Sequence, residues 1–159
     1  MIVLEPYREA HRPALEDFVA GIQEHERALV PTLKTGAEIA RGYADHVLRR
    51  VAERDGVILM ARAEGATVGA ICAWVAEDDD PLLRDDARRH AYISDLFVVE
   101  AWRRRGVARR LLDAVEREMT RRGCREIRIH AKGANRDAVA AYHAAGFAPY
   151  VVEFTKALP

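Results

Sequence analysis

The chain has 159 residues, 50% of them hydrophobic and 31% charged, which excludes a disordered polymer and suits one globular domain over residues 1–159. Its formal net charge of zero excludes a global field that gathers nucleic acid or an anionic membrane. No apolar run reaches the roughly 18 residues that a bilayer-spanning helix needs.

The opening residues, MIVLEPYREA, lack a signal-peptide layout and read as an immediate strand, Ile2 to Tyr7, broken at Glu5-Pro6. From Arg12 to Glu26 the apolar residues Leu15, Phe18, Val19 and Ile22 recur at helical spacing, with Pro13 tolerated in the first turn. Val30 to Gly36 is a loop. Ala37 to Arg54 resumes the helical pattern through Ile39, Tyr43, Val47, Leu48 and Val51, and Asp55-Gly56 turns the chain. Val57 to Ala63 and Ala66 to Val75 read as a hairpin about Glu64-Gly65. After the acidic turn Asp78-Asp79-Asp80 the segment Pro81 to Arg89 is a loop or a single turn. A β-leaning run, Tyr92 to Val99, then leads into Arg103-Arg104-Arg105-Gly106.

The helix that follows places Val107, Leu111, Leu112, Val115 and Met119 on one face, pairs Asp113 with Arg117 and Glu118 with Arg122, and stops at Gly123. Glu126 to Ala131 alternates as a strand, Asn135 caps a last helix that runs to about Ala145, and Phe147 to Lys156 reads as a final strand. Cys72 and Cys124 show no pairing signal, so two reduced thiols and a cytoplasmic setting are expected. The histidines show no metal spacing, and no metal is expected.

Arginines at a helix start are electrostatically misplaced. That end already carries about half a positive charge and unpaired N–H groups. A bound anion resolves the conflict, since a strand, a Gly turn and a helix amino terminus together make a phosphate seat. A solvated basic patch is the plainer alternative.

Arg103-Arg104-Arg105-Gly106-Val107-Ala108 fits the (Arg/Gln)-x-x-Gly-x-(Gly/Ala) signature, follows the strand Ile93 to Val99, and precedes a second helix motif from Asn135 through Tyr142 to Gly146-Phe147. In these features the chain resembles the GNAT superfamily of N-acetyltransferases. The resemblance implies an α/β acyl-CoA N-acyltransferase fold, with a central mixed, mostly antiparallel sheet flanked by helices. It implies acetyl-CoA as co-substrate, held at Leu96, Phe97, Val98, Arg103, Arg104, Arg105, Gly106, Val107, Ala108, Arg109 and Asn135. Pantetheine would bond to the backbone of Leu96 and Val98 where the strands at Tyr92–Val99 and Glu126–Ala131 splay. It implies an acceptor that is a small-molecule or protein amine, with neither nucleic acid nor membrane as partner, and pairing of two copies through their last strands. A catalytically silent acyl-CoA-binding module is the alternative function.

Acetyl transfer needs a neutral amine, and an amine of pKa near 10.4 is deprotonated in only about one molecule in 2,500 at neutral pH. A general base is therefore useful, and the leaving sulfur needs a proton. Tyr142 stands at the family's donor position. Some members carry Glu before the strand's Asp, where this chain has Ser94. Asp95 is then the nearest carboxylate, as base or amine-orienting group, with Ser94 a holder of bridging water. Alternation puts Asp95 on the face of Ile93 and Phe97, opposite Ser94 and Leu96, and leaves open which face looks into the cleft. Glu24, Glu26 and Glu77 to Asp80 are candidates for attracting a cationic amine, or simply solvated acids.

Overall fold

Five strands form one sheet in the order β1-β2-β3-β4-β5, namely Val3–Pro6, Val57–Ala63, Ala66–Glu77, Arg89–Val98 and Ile127–Ile129. The structure, a computed structural model, describes residues 1–158. The pairings β1–β2, β2–β3 and β3–β4 are antiparallel and β4–β5 is parallel, which is the mixed, mostly antiparallel sheet expected. Helices α1 (Arg12–Leu29) and α2 (Gly36–Glu53) cover one face, and α4 (Val107–Arg121) covers the other. A single turn, α3 (Asp85–Arg88), precedes β4, and α5 (Arg136–Ala144) follows β5. No helix among the described residues is long and apolar enough to cross a membrane.

The sequence pattern explains these layers. β2 and β3 are apolar at nearly every position because both their faces are covered. Leu59, Ala61, Ile71, Ala73 and Ile93 meet α4 through Val107, Leu111, Leu112, Val115 and Met119, the five positions its periodicity selects. Removing one such side chain, as in Leu111→Ala, costs about 2–5 kcal/mol. The opposite faces of β2 and β3, Ile58, Met60, Ala70 and Cys72, meet Leu15 and Phe18 of α1 and Ala44 and Val47 of α2. The hairpin turn has Glu64 and Gly65 both at positive φ, 52° and 80°, the pairing a tight two-residue turn demands. Cys72 and Cys124 are both free and buried.

The irregularity that matters lies in β4. Cys72 pairs with Asp95 and Ala73 pairs with Ile93, so Ser94 is an extra residue, a β-bulge. It breaks the alternation assumed above. Ile93 faces α4, whereas Asp95 faces α1 and α2 together with Tyr92 and Phe97. The expectation that Asp95 shares a face with Ile93 is thereby corrected, while its place opposite Leu96 stands.

Two further expectations change. Residues 147–158 form no strand. Tyr150, Val151, Val152 and Phe154 have strand-like composition but lie exposed, because a strand needs a hydrogen-bonding neighbour and this segment has none. Asp113 pairs with Arg109 at 2.8 Å rather than with Arg117, whereas Glu118 and Arg122 pair at 2.6 Å as the spacing predicts.

Candidate active site

The amino end of α4 is built from a short 3₁₀ turn, Glu100–Trp102, and the basic knot. Arg104 and Gly106 both take left-handed backbone, at φ 57° and 78°. For Gly106 this conformation is cheap, and a Cβ there would meet no heavy atom within 4 Å, so open space stands before the turn. No side chain caps the helix. The first helical bond runs from Arg110 N–H to Gly106 O at 3.1 Å. Among the described residues the backbone N–H groups from Arg104 to Arg109 have no hydrogen-bond partner. Free donors, the positive end of the helix and a cluster of guanidinium groups therefore point to an anion of the size and charge of a pyrophosphate.

The arginines divide their labour. Arg103 donates through Nε to Val98 O at 3.2 Å and so ties the knot to the edge of β4. Arg105 lies over the Trp102 ring at 5.1 Å. Arg109 pairs with Asp113 and reaches Ala144 O of α5 at 3.3 Å, which holds the two helices together. Arg104 alone of the three in the knot has a side chain with no partner among the described residues.

Beside the knot a gap opens. The pairing of β4 with β5 ends at Ile93–Ile129, so the β5-side edge of β4 is free beyond that point. Val99 N–H donates to Val68 O across the sheet. Peptide groups alternate in direction along a strand, so those of Val98 and Leu96 point the other way, into the gap. Phe97 departs from the expectation. Its carbonyl lies 2.7 Å from where a Cβ on Gly69 would stand, its ring stacks on Phe18 at 4.7 Å, and it offers the gap no backbone group.

On the α1/α2 side stands Asp95. Its Oδ2 accepts from Ser94 Oγ at 2.6 Å and from Tyr43 Oη of α2 at 3.4 Å. No Arg or Lys pairs with it among the described residues. Burial raises its pKa above the usual carboxylate range, against the lowering pull of Ser94 and Tyr43, and the charge of Glu26 on α1 raises it further. Tyr43 itself is pushed well up by burial first and by the charge of Asp95 next.

Tyr142 lies on α5, its ring 5.9 Å from that of Phe147. Its hydroxyl has no partner among the described residues, and burial, with Glu26 and Asp95 adding to it, pushes its pKa to about 12. It remains a proton donor across the neutral range. Asn135 caps α5, accepting from Ala138 N–H at 3.2 Å, so its side-chain oxygen is spent on the helix. Of the acidic candidates, Glu24 accepts from Gly36 N–H at 2.6 Å and Asp78 pairs with Arg128 at 3.0 Å, which makes both structural. His143 donates through Nδ1–H to Phe147 O, 3.2 Å away, and closes α5.

The structure thus brings Ser94, Asp95 and Tyr142 to one side of the free edge of β4, and Arg103 to Arg109 to its end. Sequence reasoning missed Tyr43. Its helical spacing reads as core, and only the bulge that turns Asp95 toward α2 reveals the second role.

Known proteins share this fold. The aminoglycoside acetyltransferase AAC(6')-Iy, in complex with the bisubstrate analogue CoA-S-monomethyl-acetylneamine, superposes with a TM-score of 0.70 at 21% identity, covering 99% of both chains. A GCN5-related N-acetyltransferase from Ralstonia eutropha JMP134 gives 0.74 at 20% identity and 99% coverage of both. An aminoglycoside acetyltransferase from an uncultured soil metagenomic sample gives 0.64 at 20%, covering 99% of this chain and 97% of its own. No curated protein matches the chain. The profile of the Acetyltransferase (GNAT) family matches residues 19–147, from within α1 to the residue that closes α5, and the chain belongs to that family: it is a GNAT acetyltransferase that uses acetyl-CoA.

Proposed function

We propose that the protein moves acetyl from acetyl-CoA to a primary amine by direct attack within a ternary complex. Asp95 receives the amine and Tyr142 protonates the departing sulfur. The observation that carries this reading is a mostly buried carboxylate with no cationic partner among the described residues, set beside the free edge of β4 and within electrostatic reach of a tyrosine.

The N–H groups from Arg104 to Arg109 receive the pyrophosphate, with the guanidinium groups of the knot about it. Leu96 and Val98 offer peptide groups to the pantetheine arm, Val98 sharing its carbonyl with Arg103. Asp95 takes a proton from the bound ammonium, directly or through a water held at Ser94, and the neutral nitrogen attacks the thioester carbonyl. As the C–S bond breaks, Tyr142 donates its hydroxyl proton to the sulfur, and the proton that the nitrogen sheds on becoming an amide neutralises the tyrosinate. A covalent relay through cysteine has no support, because Cys72 is buried and its thiol is raised far from the thiolate by desolvation and then by Asp95.

A CoA-release assay over amine classes tests the assignment. Asp95→Asn is expected to lower kcat/KM by about 10²–10⁴-fold, while acetyl-CoA still raises Tm. Tyr142→Phe should lower kcat by roughly tenfold or more, with the KM for acetyl-CoA unchanged, and a full kcat in that variant would remove the donor role. The raised pKa of Asp95 also sets a sign. Activity should fall as pH drops through a value above the ordinary carboxylate range, because the base is then protonated.

A further inference from the structure

We propose that the acceptor is a single ammonium carried on a flat apolar body, the ammonium seated on Asp95 and the body lying on the rings of Tyr92, Trp74 and His130. This deepens the reading of Asp95 as the group that receives the amine, and rests on it.

Tyr92 is the centre of the seat. Its ring lies 5.5 Å from that of Trp74 on β3 and 5.4 Å from His130, edge-on, just after β5. Its hydroxyl stands 3.3 Å from His130 Nδ1, which fixes both rings. Because Ser94 is the extra residue in β4, Tyr92 and Asp95 share the α1/α2 face, over Trp74 and Cys72 of β3 respectively. Tyr43 of α2 and Ser94 both donate to Asp95, which fixes the carboxylate. Tyr92 and Trp74 are half-buried and His130 is exposed, so ring surface is left to cover.

A cation is attracted both to a carboxylate and to aromatic faces, and an apolar ring body gains by covering the same faces. Two of the acids that could seat a further ammonium are already engaged. Asp78 is held by Arg128 and by the Asp80 N–H, and Glu24 by Gly36 N–H and Arg27. Arg128 stands directly across from Tyr92 in the β4–β5 register, paired with Asp78 and Glu126 and lying over the Tyr150 ring at 4.5 Å. Its own acids leave it no room for an acceptor carboxylate. Glu26 acts on Asp95 and Tyr142 together, which strengthens attraction at the reacting end.

The test compares acetyl-CoA-dependent CoA release with phenethylamine, n-butylamine, spermidine and kanamycin on the full chain. Phenethylamine should exceed n-butylamine in kcat/KM by about tenfold, and should exceed spermidine and kanamycin. Tyr92→Leu and Trp74→Ala should reduce that preference to about threefold or less, while Trp74→Phe retains it. A rise in Tm with acetyl-CoA identifies the variants that fold. Equal use of n-butylamine, preference for spermidine or kanamycin, or no turnover of phenethylamine overturns the proposal. Asp95→Asn separates the two readings. Loss with every amine supports Asp95 as the receiving group, whereas retained rates with an intact ring preference sink that role and leave the aromatic seat standing.

Discussion

Two helix amino termini in this molecule are finished in opposite ways. At α2, Thr35 Oγ1 accepts from Glu38 N–H at 3.3 Å, Glu38 returns a bond to Thr35 N–H at 2.9 Å, and Glu24 takes Gly36 N–H at 2.6 Å. Two carboxylates thus face the positive end of the dipole, and the donors are satisfied from within the fold. At α4 a glycine stands at the cap, no acid lies in the first turn, and arginines crowd a row of free N–H groups. A fold that caps one terminus so fully has no general difficulty in supplying acceptors. The open terminus fits the proposed reading, in which the acceptor arrives with the substrate.

The sharpest way to break the contrast is to give α4 the carboxylate it lacks. Gly106→Glu places an internal anion at the free donors and a side chain at φ 78°, and should raise the KM for acetyl-CoA by about 100-fold or more in steady-state kinetics. Next in size, Arg103→Ala removes one cation and the tie to Val98 O, and should weaken acetyl-CoA by about tenfold with kcat largely kept.

At the closed terminus the effects should move to stability. Thr35→Ala removes the cap and should cost about 1 kcal/mol, lowering Tm by roughly 2–4 °C without changing the KM for acetyl-CoA. The smallest effect carries a pH signature. The Thr35 hydroxyl, and then its backbone N–H, lower the pKa of Glu38. That contribution is complete above the unfolded value of about 4.3 and is lost as pH falls through the folded value. The Tm difference between the wild type and Glu38→Gln should therefore close in acid, and a gap that widened there would contradict the capping role.

The buried face of α4 was legible from simple spacing, whereas the capping box of Thr35 and Glu38 begins in what reads as a plain loop. Val107, Leu111, Leu112, Val115 and Met119 repeat at 3.6-residue spacing, and all five are buried. Arg103 to Gly106 stand out because their charge is wrong for a helix start. The facing of Asp95 was not legible. A bulge is a matter of which residue pairs with which, and Ser94 carries no mark of being the extra one. The last apolar stretch misled for a related reason: Val151, Val152 and Phe154 have the side chains of a strand, but a strand is defined by its neighbour. Tyr43 was hidden because a tyrosine at helical spacing serves the core and the site with the same ring.

The bulge at Ser94 has a consequence for how the gene tolerates change. Elsewhere in a sheet, loss of one codon turns every following side chain to the opposite face. At position 94 the count already runs one ahead of the partner strand, so an in-frame deletion there would restore regular pairing. Asp95, Phe97 and the rest of β4 would keep their faces. What would be lost is the bend. A chain shortened by that one residue should fold with its interior layers in order and a straighter β4, keeping the Asp95 carboxylate on its face but narrowing the gap beside the free edge of β4.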